Sequence, residues 1–298
     1  MTSAMQQEFN PGFTERESAG GPRCVQPLRD SDQTEVLQFL AVRPIHTVFL
    51  ASLIRDNGIV SRFNRGSFFG CRNKDGALEG VALLGHATLM ETEREECIKA
   101  FAALARSHSP SHLVRGEPRK INSFWNYYTE GTRKRRVLCG ELLLELKSRP
   151  SALENVSGLR QATIEDLEMI VQVNASMACS ESGINPLTRD PQGFRERSAR
   201  RIARGRIWVW IENQSLLYKT DIIAETPQAI YLEGVYVHPE HRTRGYGLRC
   251  ISQLADALLT RTKTICLTVN EKSIGTQNFY KRAGYELACR YDTIYLDS

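Results

Sequence analysis

The sequence has no Cys-x-x-Cys pair, no long apolar run and no strong excess of charge of either sign, and each absence removes a class of function. Its eight cysteines (Cys24, Cys71, Cys97, Cys139, Cys179, Cys250, Cys266 and Cys289) are scattered singly. Several fall in apolar, strand-like runs, where cysteine behaves as a small hydrophobe. Neither a metal site nor a disulfide framework is therefore expected, and a reducing, cytoplasmic setting is. No apolar stretch approaches the ~20 residues that span a bilayer, so no membrane segment is expected. Residues 1–23 are polar and Gly-rich and lack the apolar centre of a secretory signal, which reads as a loose tail. A formal net charge of +5 permits an anionic ligand without demanding nucleic acid. The basic run "RKRR" at 133–136 has no interleaved aromatics and reads as a solvated strand edge.

What is there is a mixed chain, 41% hydrophobic and 24% charged, and long enough for two domains. The stretch "KSRPSALENVSG" (147–158) is the expected junction, dividing a unit at 24–150 from one at 151–298. The two units begin alike. "PLRDSDQTEVLQFL" from Pro27 and "GLRQATIEDLEMIV" from Gly158 share Leu-Arg, an acidic polar turn and a helix-spaced apolar pattern, which suggests two copies of one architecture. In the first unit "HTVFLASLIRDNG" predicts a helix, "NKDG" a hairpin turn, "TEREECIKAFAALARSH" an amphipathic helix and "RRVLCGELLLEL" a strand or hairpin. In the second, Phe194, Ser198 and Ile202 mark one face of a helix over "DPQGFRERSARRIARG". Three strands follow with turns at "ENQS" and "AETPQ", an antiparallel meander. Lys219 and Asp221 alternate with apolar residues there and read as an exposed pair.

The stretch "HRTRGYGLRC" (241–250) concentrates flexibility and positive charge where a strand gives way to a helix. The first turn of a helix exposes unpaired N–H groups and the positive end of its dipole, so it favours an anion. Gly245 and Gly247, flanking Tyr246, would let backbone approach a phosphate closely, and Arg242, Arg244 and Arg249 would add charged donors. A plain strand-to-helix turn is the alternative. A Rossmann dinucleotide motif is excluded by the glycine spacing and by the preceding meander.

Arg242-x-x-Gly245-x-Gly247 resembles the pyrophosphate loop of the GNAT superfamily of acyl-CoA-dependent N-acyltransferases. Its surroundings are similar to that family as well. "LEGVYVHPEHR" resembles its fourth strand, and "LTVNEKSIGTQNFYKRAGYE" its fifth strand and following helix, with Asn270, Ser273, Phe279, Tyr280, Gly284 and Tyr285 in the family's places. Together these span about 60 residues in the right order. "VRPIHTVFLASLI", "ESGINP" and "YKTDI" are similar to segments of a bacterial group of two-part acetyltransferases. The resemblance implies an α+β fold of tandem GNAT units, each a mostly antiparallel sheet flanked by helices. The first unit has no Arg-x-x-Gly-x-Gly loop and is expected not to bind acyl-CoA in the usual way.

The resemblance also implies chemistry. An acetyl group would pass from acetyl-CoA to the amine of a small-molecule or peptide acceptor by direct attack, without a metal. The backbone around Val235 and Val237 would pair with the pantetheine arm. Arg242, Arg244, Gly245, Tyr246 and Gly247 would hold the pyrophosphate, and Asn270 and Ser273 would contact the cofactor. Tyr280 would protonate the leaving thiolate; its alternative is a core aromatic. Glu233, among apolar neighbours, is the candidate base, with a carboxylate paired to an arginine as the alternative. Tyr231, on the same strand face, occupies the place where related enzymes often carry their glutamate. Glu181, in a predicted loop, is the candidate acceptor-pocket residue, with a surface carboxylate as the alternative. A non-catalytic acyl-CoA sensor or a scaffold with the same fold is the competing reading.

Overall fold

A computed structural model describes residues 24–107, 111–129, 135–150 and 153–296. The expected tail at 1–23 and residues 133 and 134 of the basic run lie outside them. The first half runs β1 (Cys24–Pro27), α1 (Gln33–Leu40), α2 (Pro44–Asn57), β2 (Gly66–Arg72), β3 (Leu78–Gly85), β4 (Ala87–Thr92), α3 (Glu95–Ser107), β5 (Leu113–Gly116), α4 (Pro118–Thr129) and β6 (Arg135–Leu146). The second repeats that order as β7 (Leu159–Gln161), α5 (Leu167–Ser182), a short α6 (Pro186–Arg189), α7 (Pro191–Ala203), β8 (Ile207–Glu212), β9 (Ser215–Glu225), β10 (Ala229–Val237), α8 (Tyr246–Leu258), β11 (Thr264–Asn270), α9 (Ile274–Arg282) and β12 (Glu286–Leu296). The Leu-Arg echo in the sequence thus marks a duplicated architecture.

Local chemistry explains most boundaries. Asn213 and Gln214 both take positive φ (49° and 59°), the twist a two-residue hairpin turn needs between β8 and β9. Along α7, Ser198 and Ile202 are buried, while Arg195 faces solvent as an amphipathic helix requires. The closing "YELACRYDTIYL" forms one long strand, because β12 has partners along both edges.

All twelve strands join in one sheet, ordered β1-β2-β3-β4-β5-β12-β6-β11-β10-β9-β8-β7. The centre of that order is an exchange. β6, the last strand of the first half, pairs with β11 from Ile265↔Leu146 to Asn270↔Glu141. β12, the last strand of the second half, pairs with β5 from Asp292↔Gly116 to Tyr295↔Leu113. The two exchanged strands also pair with each other. Each half therefore completes its sheet with the other half's final strand.

Helices cover both faces. On the front, α1 and α2 pack on Phe68, Val81 and Leu83, and α5 and α7 pack on Ile207, Val209 and Leu216. On the back, α3 and α4 bury Phe101, Ile121 and Phe124 in the first half, and α8 and α9 bury Ile251, Leu254 and Tyr280 in the second. Helix α2 crosses the junction: its Val48 shares a cluster with Ala229, Tyr231 and Cys266 of the second half. Asp56 at its end is bound by Arg206 at 2.5 and 2.8 Å.

Candidate functional site

The site begins where two parallel strands part. β10 and β11 pair only over Ala229↔Thr264 to Tyr231↔Cys266. Beyond that point β11 stays on β6 and β10 stays on β9, so a gap opens between them. A bulge widens it. Between the pairs Glu233↔Asp221 and Tyr236↔Lys219, β10 carries one residue more than β9, and Gly234 takes φ +62°. The bulge sets Tyr231, Glu233 and Tyr236 toward the front face. Val235 and Val237 turn to the back, against the core that holds Tyr280.

The glycine turn closes the end of this gap. Gly245, at φ +82°, is the residue before α8, and a side chain there would meet nothing within 4 Å. The glycine supplies a left-handed backbone beside open space. The first helical bond runs from Arg249 N–H to Gly245 O at 3.1 Å, so the N–H groups of Tyr246, Gly247 and Leu248 have no intrahelical acceptor. Arg242 and Arg244 are exposed, and Arg242 Nε donates to Val237 O at 3.1 Å, tying the turn to the strand.

Three expectations for this turn need revision. Gly247 does not face the open side: a Cβ there would lie 2.8 Å from Val237 Cγ2 and 3.3 Å from Phe279, so its small size serves helix packing. The Tyr246 ring is half-buried, edge-on to Trp210 at 5.1 Å and near His241 at 5.9 Å, so it packs beside the turn and offers its backbone N–H there. Arg249 points away, donating to Glu154 O at 2.9 Å and Asn155 O at 3.3 Å, and so fastens α8 to the inter-unit segment.

Tyr280 is buried on α9, its ring 5.0 Å from Phe279 and 5.4 Å from Tyr285. Its hydroxyl makes no hydrogen bond among the described residues. Burial raises its phenol above the ordinary range, with Tyr231 adding to the rise, so the group is protonated at neutral pH and able to donate. Asn270 ends β11, and its Oδ1 accepts the Lys272 N–H at 2.9 Å, the local turn-forming role. Ser273 is the exposed residue before α9, with its hydroxyl not engaged in capping.

Glu233 lies on the front face. It is solvent-accessible, yet enough protein surrounds it that lost hydration raises its carboxyl above the usual range. Arg115 and Arg201 oppose that rise, and Asp221 and Glu141 add to it. It forms no ion pair among the described residues. Glu181 lies in the last turn of α5 rather than in a loop; its side chain is outside the described residues.

Lys219 and Asp221 are buried, not exposed. They form a 2.5 Å ion pair directly beneath the bulge, and Asp221 also accepts from Asn174 at 3.2 Å and Arg201 at 3.3 Å. Both faces of β9 are covered, so charges on it must find partners inside the protein. A side chain at Gly234 would lie 2.9 Å from Lys219 Nζ, so the bulge glycine makes room for this ammonium group.

Two residues before Glu233 on β10, Tyr231 lines a shallow pocket at the junction of the halves, together with Phe49, Glu117, Arg115, Thr268 and Tyr291. At its wall Arg115 Nη2 donates to Tyr231 Oη at 2.8 Å and Thr268 Oγ1 at 2.6 Å. The rings of Phe49, Tyr231 and Tyr291 stand 5.5–5.9 Å from its guanidinium carbon. No sequence pattern marks Arg115, since its hydrogen-bond partners Tyr231 and Thr268 lie more than a hundred residues away.

The comparisons with known proteins agree with this geometry. The sequence profile of the FR47-like protein family matches residues 220–294, which hold the gap, the glycine turn and α9. A GNAT-family acetyltransferase from Colwellia psychrerythraea superposes over 92% of this chain and 100% of its own, at 14% identity and TM-score 0.55. A tandem GNAT protein from the clavulanic acid biosynthesis pathway covers 93% of this chain and 99% of its own, at 14% identity and TM-score 0.56. A Drosophila protein covers 92% and 98%, at 13% identity and TM-score 0.65. No curated protein matches the chain in sequence.

The chain has the tandem GNAT fold. Within it the two GNAT units differ where a phosphate would sit. In the second, a glycine turn with two exposed arginines precedes α8. In the first, the equivalent step from β4 to α3 is Glu93-Arg94, and the first turn of α3 carries Glu95 and Glu96. Those carboxylates already occupy the positive end of that helix dipole and would repel a second anion.

Proposed function

We propose that the protein is an acyl-CoA-dependent N-acetyltransferase, with acetyl-CoA as co-substrate and an amine as acceptor. The parting of β10 from β11, with Glu233 on one side of the gap and Tyr280 on the other, is the observation that carries this reading. The gap offers the unpaired edge of Val235–Val237 to a pantetheine arm. The free N–H groups at the start of α8, with Arg242 and Arg244, suit the pyrophosphate, and the open space at Gly245 admits it. Asn270 and Ser273 stand at the far end of β11, where the cofactor would pass.

The amine nitrogen attacks the thioester carbon, the C–S bond breaks, and the sulfur takes the Tyr280 proton as it leaves. Glu233 takes the proton the amine loses. Holding both substrates across one gap supplies much of the rate through positioning. No described helix is long and apolar enough to cross a membrane.

A panel of amines incubated with acetyl-CoA, read as released CoA thiol, tests the reading. Turnover is expected with at least one amine. Because the Glu233 carboxyl is raised, its rate is expected to fall on acidification at a pH above the ordinary carboxylate range, and Glu233→Gln is expected to remove that acid limb. No release from any amine by a protein that still binds CoA would leave a sensor or scaffold.

A further inference from the structure

We infer that the junction pocket seats the acceptor and that Arg115 reads a carboxylate on it, so that the acceptor is an amine that also carries a carboxylate. The inference rests on the acyl-transfer reading for the pocket's purpose, and on Arg115 for the chemistry.

Position comes first. Tyr231 and Glu233 are alternate residues of β10 on the same face, about 7 Å apart along the strand. Tyr231 Oη and Thr268 Oγ1 meet at 2.8 Å across the point where β10 and β11 part. The pocket wall is therefore one strand repeat from the candidate base, on the side of the gap opposite Tyr280. A molecule seated against Tyr231 can present an amine to Glu233.

Charge comes second. Guanidinium has five N–H donors. Arg115 spends two, both from Nη2, on Tyr231 and Thr268. Its Nε lies 3.3 Å from Glu141 Oε2 but is buried without a well-directed hydrogen bond among the described residues. Its Nη1 makes no hydrogen bond among the described residues. Glu141 forms an ion pair with Arg115 through that 3.3 Å approach and also accepts from Thr268 at 3.0 Å and Thr293 at 2.6 Å, which leaves the Nη1 side of the guanidinium facing the pocket unengaged among the described residues.

The other cation of the pocket is not available. Lys120 spends its three donors on Glu91, Glu93 and Glu117, at 3.3, 2.7 and 2.8 Å. Glu117 is bound by Arg43 as well, and although burial alone would raise it, Arg43 and Lys120 hold its carboxyl at about 2. The acidic wall thus holds both of these cations in its own ion pairs, and neither is free to take a second anion. Among the described residues Arg115 is the lining cation with unspent donors, and three aromatic rings flank it. Unmet N–H groups on a guanidinium call for an anionic acceptor of hydrogen bonds, and a planar carboxylate matches their geometry.

The inference also gives the first half a task. Arg115 lies on β5, within the unit that lacks the glycine turn; β5 pairs with the exchanged β12, and the side chain extends over the exchanged strands to Tyr231 and Thr268 at the second half's gap.

The test reads binding and turnover separately. CoA-saturated full-length protein is titrated calorimetrically with matched probes: L-phenylalanine, L-leucine and L-glutamate, and the carboxamide of each main-chain carboxyl. The expected result is that at least one free acid binds at least ~10-fold tighter than its amide, and that Arg115→Gln removes the difference. Arg115→Lys, which keeps the charge but loses the fork, is expected to retain only part of the preference, and unchanged CoA affinity in both variants shows that they are folded. Equal binding of acid and amide across all pairs, or selectivity that survives Arg115→Gln, would overturn the inference. Selective binding without CoA release would leave the pocket assignment standing and refute acyl transfer instead.

Discussion

Tyr280→Phe is expected to lower kcat for acyl transfer by ~10²–10⁴-fold, the usual contribution of a general acid, while CoA affinity and thermal stability stay near those of the parent. The substitution removes one hydroxyl. That hydroxyl has no partner among the described residues, and the ring keeps its contacts with Phe279 and Tyr285. Tyr285→Phe is the matched control, since Tyr285 Oη is buried without a hydrogen-bond partner among the described residues and its loss should cost nothing. Single-turnover measurement places the effect on chemistry rather than on product release. An unchanged rate would make Tyr280 a packing residue and leave the thiolate to depart without an acid.

The second large effect concerns the exchanged strands. A chain of residues 151–298 contains the gap, the glycine turn and α9, yet lacks β6. It is expected not to fold cooperatively. Leu143, Leu144 and Leu146 of β6 are buried, and Leu144 and Leu146 belong to the second half's own core. Each buried leucine contributes ~1.5–3 kcal/mol, so their loss together approaches the ~5–15 kcal/mol that a domain has in total. The inner edge of β11 would also be left unpaired. Circular dichroism and urea unfolding check this. A soluble fragment with a single cooperative transition would mean that β6 is dispensable to the second half.

The exchange marks where sequence reading stops. The duplication was legible because the same helix-start chemistry recurs at Pro27 and Gly158, and the meander was legible from its turn residues. Which strand lies beside which was not: "RRVLCGELLLEL" and "YELACRYDTIYL" read as strands wherever they pair, since periodicity reports a face and not a neighbour. The site divides in the same way. The glycine turn is local, so its backbone conformation could be anticipated at Gly245.

Side-chain direction could not be. Arg249 and Gly247 carry the motif's look but serve the packing of α8. Lys219 and Asp221 were misplaced because charge was weighed over context. In "LLYKTDIIAE" the alternation Leu217, Lys219, Asp221, Ile223, Glu225 is mixed, the pattern of a solvated face, and only the helices packed over that face bury the pair. Arg115 had no signal at all, for its surroundings are assembled from Phe49, Tyr231, Thr268 and Tyr291, drawn from α2, β10, β11 and β12.

The most direct measurement of the central claim is a calorimetric titration of the full-length chain and its Gly245→Glu variant with CoA. The parent is expected to bind one CoA per chain, because the start of α8 is free for a phosphate and the start of α3 carries Glu95 and Glu96. In the variant, a left-handed backbone costs a non-glycine residue ~1–2 kcal/mol. A carboxylate close to the pyrophosphate adds ~1–4 kcal/mol of repulsion. The backbone strain is common to the free and bound protein and lowers stability only, so the repulsion sets the loss of affinity, about 5- to 700-fold, with the fold retained because a side chain there meets nothing within 4 Å. Two CoA molecules per chain, or a variant that binds as tightly as the parent, would contradict the account.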